Sequence, residues 1–137
     1  MLILVDSSIW IEGNRPGASQ ELKARIRQLL LERRLAVTPL VQLEIYCGAH
    51  TGSIYEELRK SFAALENLSV TEAVWDRSYD LGFRAKRLGF PRLAPDILIA
   101  AVAVTHKVFL WHCDRDFERL RQVEPALRTY WHPHNNP

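Results

Sequence analysis

A chain of 137 residues with 47% hydrophobic and 25% charged content can bury the larger part of its unfolded surface, so it should fold as one domain without disulfide or metal staples. The net charge of +2 is a mild bias rather than the strong basic footprint of a dedicated nucleic-acid binder, and Cys47 and Cys113 make neither a CxxC pair nor a metal finger. No apolar run approaches the ~20 residues of a membrane span, and Met1 to Val5 is too short for a signal h-region, which predicts a soluble cytoplasmic protein with free thiols.

In chain order, Leu2 to Val5 reads as a buried strand ended by Asp6-Ser7-Ser8, and Leu35 to Thr38 as a second one closed by Pro39. Between them Leu22, Ile26, Leu29 and Leu30 form one apolar stripe with Lys23, Arg25, Arg27 and Arg33 off it, the pattern of an amphipathic helix. Thr38-Pro39 joins a capping hydroxyl to a proline at the first helical position, so a helix starts there and carries Glu44 about a turn and a half in. After a break at Gly48 and Gly52-Ser53, Ile54, Leu58, Phe62 and Leu65 define another helix, and Leu68 to Val70 is a short strand candidate. Val74, Ser78, Leu81, Ala85 and Leu88 continue at helical spacing and stop at Gly89. Ala94-Pro95 opens a helix whose Ile97 to Val104 segment is apolar all round, which predicts burial on every side. Lys107 to Trp111 is the next strand, Phe117 and Leu120 sit on a short helix that ends before Pro125, and Arg128 to Trp131 reads as an edge strand. Residues 1–131 then form the domain and 132–137 a frayed tail, whose His132 and His134 reflect tail composition rather than a metal site.

Repeated strand-helix-strand order predicts an α/β fold, with a mostly parallel central sheet of four or five strands and helices on both faces. Right-handed crossovers put the loops that follow the strands on one rim, where ligands bind in such sheets. Asp6 ends the first strand, Glu44 lies on the helix after the second, Asp96 in the first turn of the apolar helix, and Asp114 and Asp116 follow the strand that ends at Trp111. Each acid has a bland reading: Asp6, Asp114 or Asp116 as a helix cap, Asp96 as a charge favoured by the helix dipole. Carboxylates gathered on one rim repel one another unless a cation sits between them, and an oxygen-rich site suits Mg²⁺ or Mn²⁺. No Ser-His-Asp set, Walker loop or GxGxxG is present, so acyl transfer and nucleotide hydrolysis lack their parts.

Four segments taken together, Val5-Asp6-Ser7-Ser8-Ile9-Trp10-Ile11, Val41 to Gly48, Pro95 to Ala101 and Asp114-Arg115-Asp116-Phe117, give a pattern over essentially the whole chain that resembles the PIN-domain ribonucleases, and among them the VapC toxins of VapBC toxin-antitoxin modules. The resemblance implies a single PIN-like domain and a ribonuclease dependent on Mg²⁺ or Mn²⁺. It makes Asp6, Glu44, Asp96 and Asp114 the catalytic, metal-binding acids, with Asp116 a further carboxylate at the same corner and Ser8 a hydroxyl supporting Asp6. It implies an RNA substrate, a small VapB-like antitoxin and a homodimer; Trp10 and Trp111, each adjoining an acid motif, are the expected anchors for the antitoxin. For the homodimer the apolar surface of Ile45, Tyr46, Ile54, Tyr55 and Phe62 adds support. Rim residues such as Arg15, Arg92 and Arg115 would set the RNA target. One position departs from the family: many relatives carry Ser or Thr two residues before the aspartate that Asp114 matches, and here that residue is His112. The alternatives are a non-catalytic metal-binding α/β module and a PIN nuclease acting on DNA or on particular structures. A receiver-like or phosphatase-like α/β domain would need a pair of acids after the first strand, where only Asp6 stands.

Overall fold

The computed structural model describes residues 1–90 and 94–137, so Arg92 lies outside the described residues. The elements run β1 (Ile3–Val5), α1 (Ser7–Asn14), α2 (Gln20–Leu31), β2 (Leu35–Val37), α3 (Pro39–Cys47), α4 (Gly52–Ala63), β3 (Glu66–Asn67), α5 (Glu72–Arg87), α6 (Ala94–His106), β4 (Phe109–His112), α7 (Arg115–Val123) and β5 (Thr129–Trp131). All strand pairs are parallel, in the order β3-β2-β1-β4-β5. Successive strand residues point to opposite faces, and Ile3, Leu4 and Val5 are all buried, so helices cover the sheet on both sides. This is the parallel α/β architecture that the alternating pattern predicts.

Strand order turns about β1: the chain first builds outward through β2 and β3, then returns to lay β4 and β5 on the other side of β1. The gap beyond the carboxyl ends of β1 and β4 is therefore the switch point of the sheet. Register places Val5 opposite Trp111, and the Asp6 amide donates to the Trp111 carbonyl at 2.9 Å. Asp6 and the residues after His112 thus leave the sheet side by side.

Several boundaries differ from the sequence reading. Ladder pairing at the edge falls on Glu66–Asn67, both exposed, rather than on Leu68 to Val70. An edge strand need not be apolar; the hydrophobic Leu68 marks burial, and its amide still donates to the Val37 carbonyl at 2.7 Å. Thr38 holds the N-cap position of α3, but its hydroxyl donates instead to the Leu68 carbonyl at 2.8 Å, a buried contact. Lys107 belongs to the stop of α6, with φ +59° and the Val108 amide reaching back to the Ala103 carbonyl at 3.0 Å, so β4 starts at Phe109. On α6, Ile99 to Ala103 are buried, while Ile97, Leu98 and Val104 are only partly so.

Of the apolar surface expected on α3 and α4, Phe62, Ile45 and Tyr46 pack against the core, while Ile54 and Tyr55 stay exposed. Phe62 is buried with its ring edge-on to Trp10 at 5.1 Å, and Tyr46 packs against Phe62 at 5.9 Å. The broader exposed aromatic stripe lies on α5, where Trp75, Tyr79 and Phe83 are 43%, 66% and 61% exposed. The last residues, read as a frayed tail, are tied to the fold. The His132 amide donates to the His112 carbonyl at 2.8 Å, the Trp111 indole N–H to Asn136 Oδ1 at 3.1 Å, and Arg25 to the Pro137 carbonyl. Among the described residues no helix is long and apolar enough to cross a membrane.

Candidate metal centre

Asp6 stops β1 because the chain turns there into α1: it is the N-cap of that helix, and its carboxylate accepts the Ser8 amide at 3.0 Å and the Ser8 hydroxyl as well. The Ser8 hydroxyl accepts the Cys113 amide at 3.1 Å, so one oxygen links the ends of β1 and β4. Asp114 caps α7 in the same way, accepting the Asp116 amide at 2.9 Å. The capping readings of Asp6 and Asp114 are therefore correct, and they do not compete with a site: capping fixes each carboxylate at the rim and engages only part of its acceptor capacity.

Asp96 reaches the same place from the first turn of α6. One carboxylate oxygen from each of Asp96, Asp114 and Asp116 lies within 4.8 Å of the others, which joins three of the five sequence-predicted acids in one cluster. Asp6 and Glu44 stand around it. Asp6 is buried, while Glu44 is exposed on α3, where Ser7 Oγ donates to its Oε1 at 3.2 Å.

Electrostatics unite all five. The Asp96 carboxyl is pushed up to about 7, first by burial and then by the negative charges of Asp114, Asp6, Asp116 and Glu44. Burial also raises Asp6 against the opposing hydrogen bonds of Ser8, and it raises Glu44, with the Asp6 charge adding to the effect. Such a set fits a divalent ion. Ligands about 2.1 Å from Mg²⁺ or Mn²⁺ lie roughly 3 to 4 Å apart, so the three oxygens need only a small contraction, and a cation would relieve the repulsion felt by Asp96.

His112 does not face this cluster as a ligand. Its ring is wholly buried, with Nε2 2.7 Å from Glu118 Oε2 and Nδ1 accepting the Asp114 amide at 3.1 Å. Burial holds the imidazole below its ordinary pKa. Burial also opposes the charge on Glu118, but hydrogen bonds from Thr129, Arg121 and His112 outweigh it and hold that carboxyl low. The sequence reading gives no role to Ser7, Glu118 or Thr129; they sit on a helix start, a helix face and an edge strand, and their contacts are made by the fold. Trp111, expected as a surface anchor, is wholly buried because β4 is an inner strand. Trp10 lines an apolar groove of about 550 Å³ together with Ile45, Ile54, Leu58 and Phe62, with Glu44 among the lining residues. Its indole N–H is buried and has no hydrogen-bond partner among the described residues. Of the expected rim cations, Arg15 pairs with Glu12 at 2.7 Å, and Arg115 is exposed at the start of α7.

Comparison with known proteins agrees with this architecture. A family model described as PIN domain matches residues 3–123. Ribonuclease VapC11 of Mycobacterium tuberculosis is 31% identical over 126 residues, 89% of this chain and 93% of that protein. Ribonuclease VapC21 of the same organism is 29% identical over 88% of this chain and 86% of its own length. Among solved structures, FitAcB from Neisseria gonorrhoeae superposes with a TM-score of 0.79 at 22% identity, covering 97% of this chain and 99% of that one. VapBC2 from Rickettsia felis, bound to a DNA fragment from its promoter, superposes with a TM-score of 0.76 at 17% identity, covering 94% and 97%. The acids at the switch point, the five parallel strands and these likenesses together place the chain in the PIN domain family, in its VapC branch.

Proposed function

We propose that this chain is a metal-dependent endoribonuclease, the toxin of a type II toxin-antitoxin pair, and that Asp96, Asp114 and Asp116, with Asp6 and Glu44, hold Mg²⁺ or Mn²⁺. The observation that carries the reading is the meeting of three carboxylate oxygens within 4.8 Å at the switch point of the sheet. The reaction class comes from relatives that are named ribonucleases.

A divalent ion bound there neutralises charge developing on a phosphodiester and makes water more acidic. The chain's own residues do the rest. Ser8 fixes the Asp6 carboxylate, and the cap at Asp116 fixes Asp114. Asp96, whose carboxyl burial and the neighbouring acids hold at about 7, would have to be ionised to hold the cation. Arg115 supplies positive charge next to the acids for an RNA phosphate.

The likeness to complexes named VapBC supports a small VapB-like antitoxin as partner. The groove beside Trp10 suits an apolar helical or extended segment, whose arginine would pair with the acids and compete with the ion. The chain forms a homodimer, for which the exposed Trp75, Tyr79 and Phe83 supply apolar surface, and it acts in the cytoplasm.

The test is an assay on labelled RNA with and without Mn²⁺, alongside a DNA substrate. The parent should cut RNA only with metal, and Asp114→Asn, shown folded by circular dichroism, should lose roughly a thousandfold or more, since a bound ion contributes several kcal/mol of charge stabilisation. Undiminished cleavage by Asp114→Asn would remove the reading; preferential cleavage of DNA would replace the substrate.

A further inference from the structure

The imidazole that ends β4 is held on both ring nitrogens. His112 closes β4 and has no exposed surface. Its ring packs between Phe117, at 5.0 Å between centroids, and Trp131, at 6.4 Å. The Asp114 amide, 3.1 Å from Nδ1, has only a proton to give, so Nδ1 must offer its lone pair. The proton of the ring is then on Nε2, donated to Glu118 Oε2 at 2.7 Å. That same oxygen accepts the Thr129 hydroxyl at 2.7 Å, and the other oxygen of Glu118 accepts Arg121 at 2.8 Å. One imidazole therefore ties the Asp114 backbone to α7 through Glu118 and to β5 through Thr129.

We infer that His112 is a positioning residue, which fixes the Asp114 amide through Nδ1 and so holds the Asp114 carboxylate in register with Asp96 for a divalent cation. The inference rests on the reading of Asp114 as a cation ligand. The Glu118–Thr129 pair behind the imidazole fixes which nitrogen faces the amide. Partners that orient a ligand from behind typically change metal affinity 10- to 100-fold when altered. The carboxylate that benefits keeps one oxygen on the Asp116 amide at 2.9 Å, and its position depends on the backbone angle that His112 sets.

Two substitutions separate this role from simple packing. His112→Asn keeps an acceptor near the place of Nδ1 and loses the donor to Glu118, whereas His112→Gln keeps a donor near the place of Nε2 and loses the acceptor for Asp114. Each removes one hydrogen bond and part of the ring, so a purely structural residue would weaken both variants alike. Mn²⁺ binding to the metal-free full-length chain is measured by calorimetry, with Asp114→Asn as the control. The expected result is His112→Asn within about threefold of the parent and His112→Gln weaker by tenfold or more. Equal loss in the two variants, or parent-like binding by His112→Gln, overturns the inference while a loss in Asp114→Asn leaves the cation site standing. Parent-like binding by Asp114→Asn overturns the cation reading and the inference with it. A measurement on the parent is free of any folding defect: nitrogen-15 shifts of the His112 ring should show Nδ1 unprotonated and Nε2 protonated, and the opposite tautomer would contradict the assignment.

Discussion

At the Asp114 end of the crevice the backbone is tied from several sides. Ser8 accepts the Cys113 amide, His112 accepts the Asp114 amide, and Glu118 braces the imidazole from α7. At the Glu44 end, a single 3.2 Å hydrogen bond from Ser7 reaches an exposed carboxylate on α3, a helix with only Val41 buried. The two ends carry the same functional group with different freedom. A ligand held in place costs nothing to organise when the ion arrives, while an exposed one must be ordered and contributes less. On the reading proposed above, the braced end supplies most of the ion affinity, and Glu44, beside the apolar groove, adjusts to substrate or partner.

The comparison breaks if the braces prove irrelevant. Ser8→Ala removes the hydroxyl shared by Asp6 and Cys113, and Mn²⁺ affinity should fall roughly 10- to 100-fold. Glu44→Gln should weaken binding less than Ser8→Ala, and Ser7→Ala least of all, within about threefold, as befits one exposed hydrogen bond. Titration of the three variants side by side checks the order; a larger loss at Ser7 than at Ser8 would invert the account.

A smaller effect sharpens it through pH. Because the folded chain holds the Asp96 carboxyl at about 7, above its ordinary value of 3.8, the metal-free native state binds a proton that the unfolded state has released. Its contribution to stability is present at low pH and is lost as pH rises toward 7. Melting curves in EDTA should show Asp96→Asn close to the parent near pH 4 and progressively more stable than the parent toward pH 7 and above. With Mn²⁺ present the parent should gain stability at neutral pH by mass action, and the variant should gain less. A constant difference between the two proteins across this range would mean that Asp96 carries no such repulsion.

Asp6 and Asp114 stand out in the sequence because each follows a strand at a chain reversal, and short strands buried on both faces leave no packing reason for a carboxylate there. Asp96 was marked by Ala94-Pro95, Asp6 and Asp114 by the strands before them. The bracing was not legible. His112 meets Glu118 six residues on, and Glu118 meets Thr129 a further eleven away, contacts made by packing α7 against β5 rather than by any local signature. The pairing segment Glu66–Asn67 was hidden because an edge strand needs backbone partners and no apolar side chains. Trp111 looked like an anchor because an acid motif follows it, yet two strands flank it and bury it. Phe62 looked like surplus surface because its partner, Trp10, lies far away in sequence.

The most direct test of a shared cation site centred on Asp96 is to count protons released when Mn²⁺ binds. Calorimetric titration of the parent at pH 6.5 in two buffers of different ionisation enthalpy should show release of most of one proton, because the Asp96 carboxyl is largely protonated there and the ion requires it ionised. Asp96→Asn should bind far more weakly and release almost none. Tight Mn²⁺ binding by the parent without proton release, or equal release by Asp96→Asn, would contradict the account.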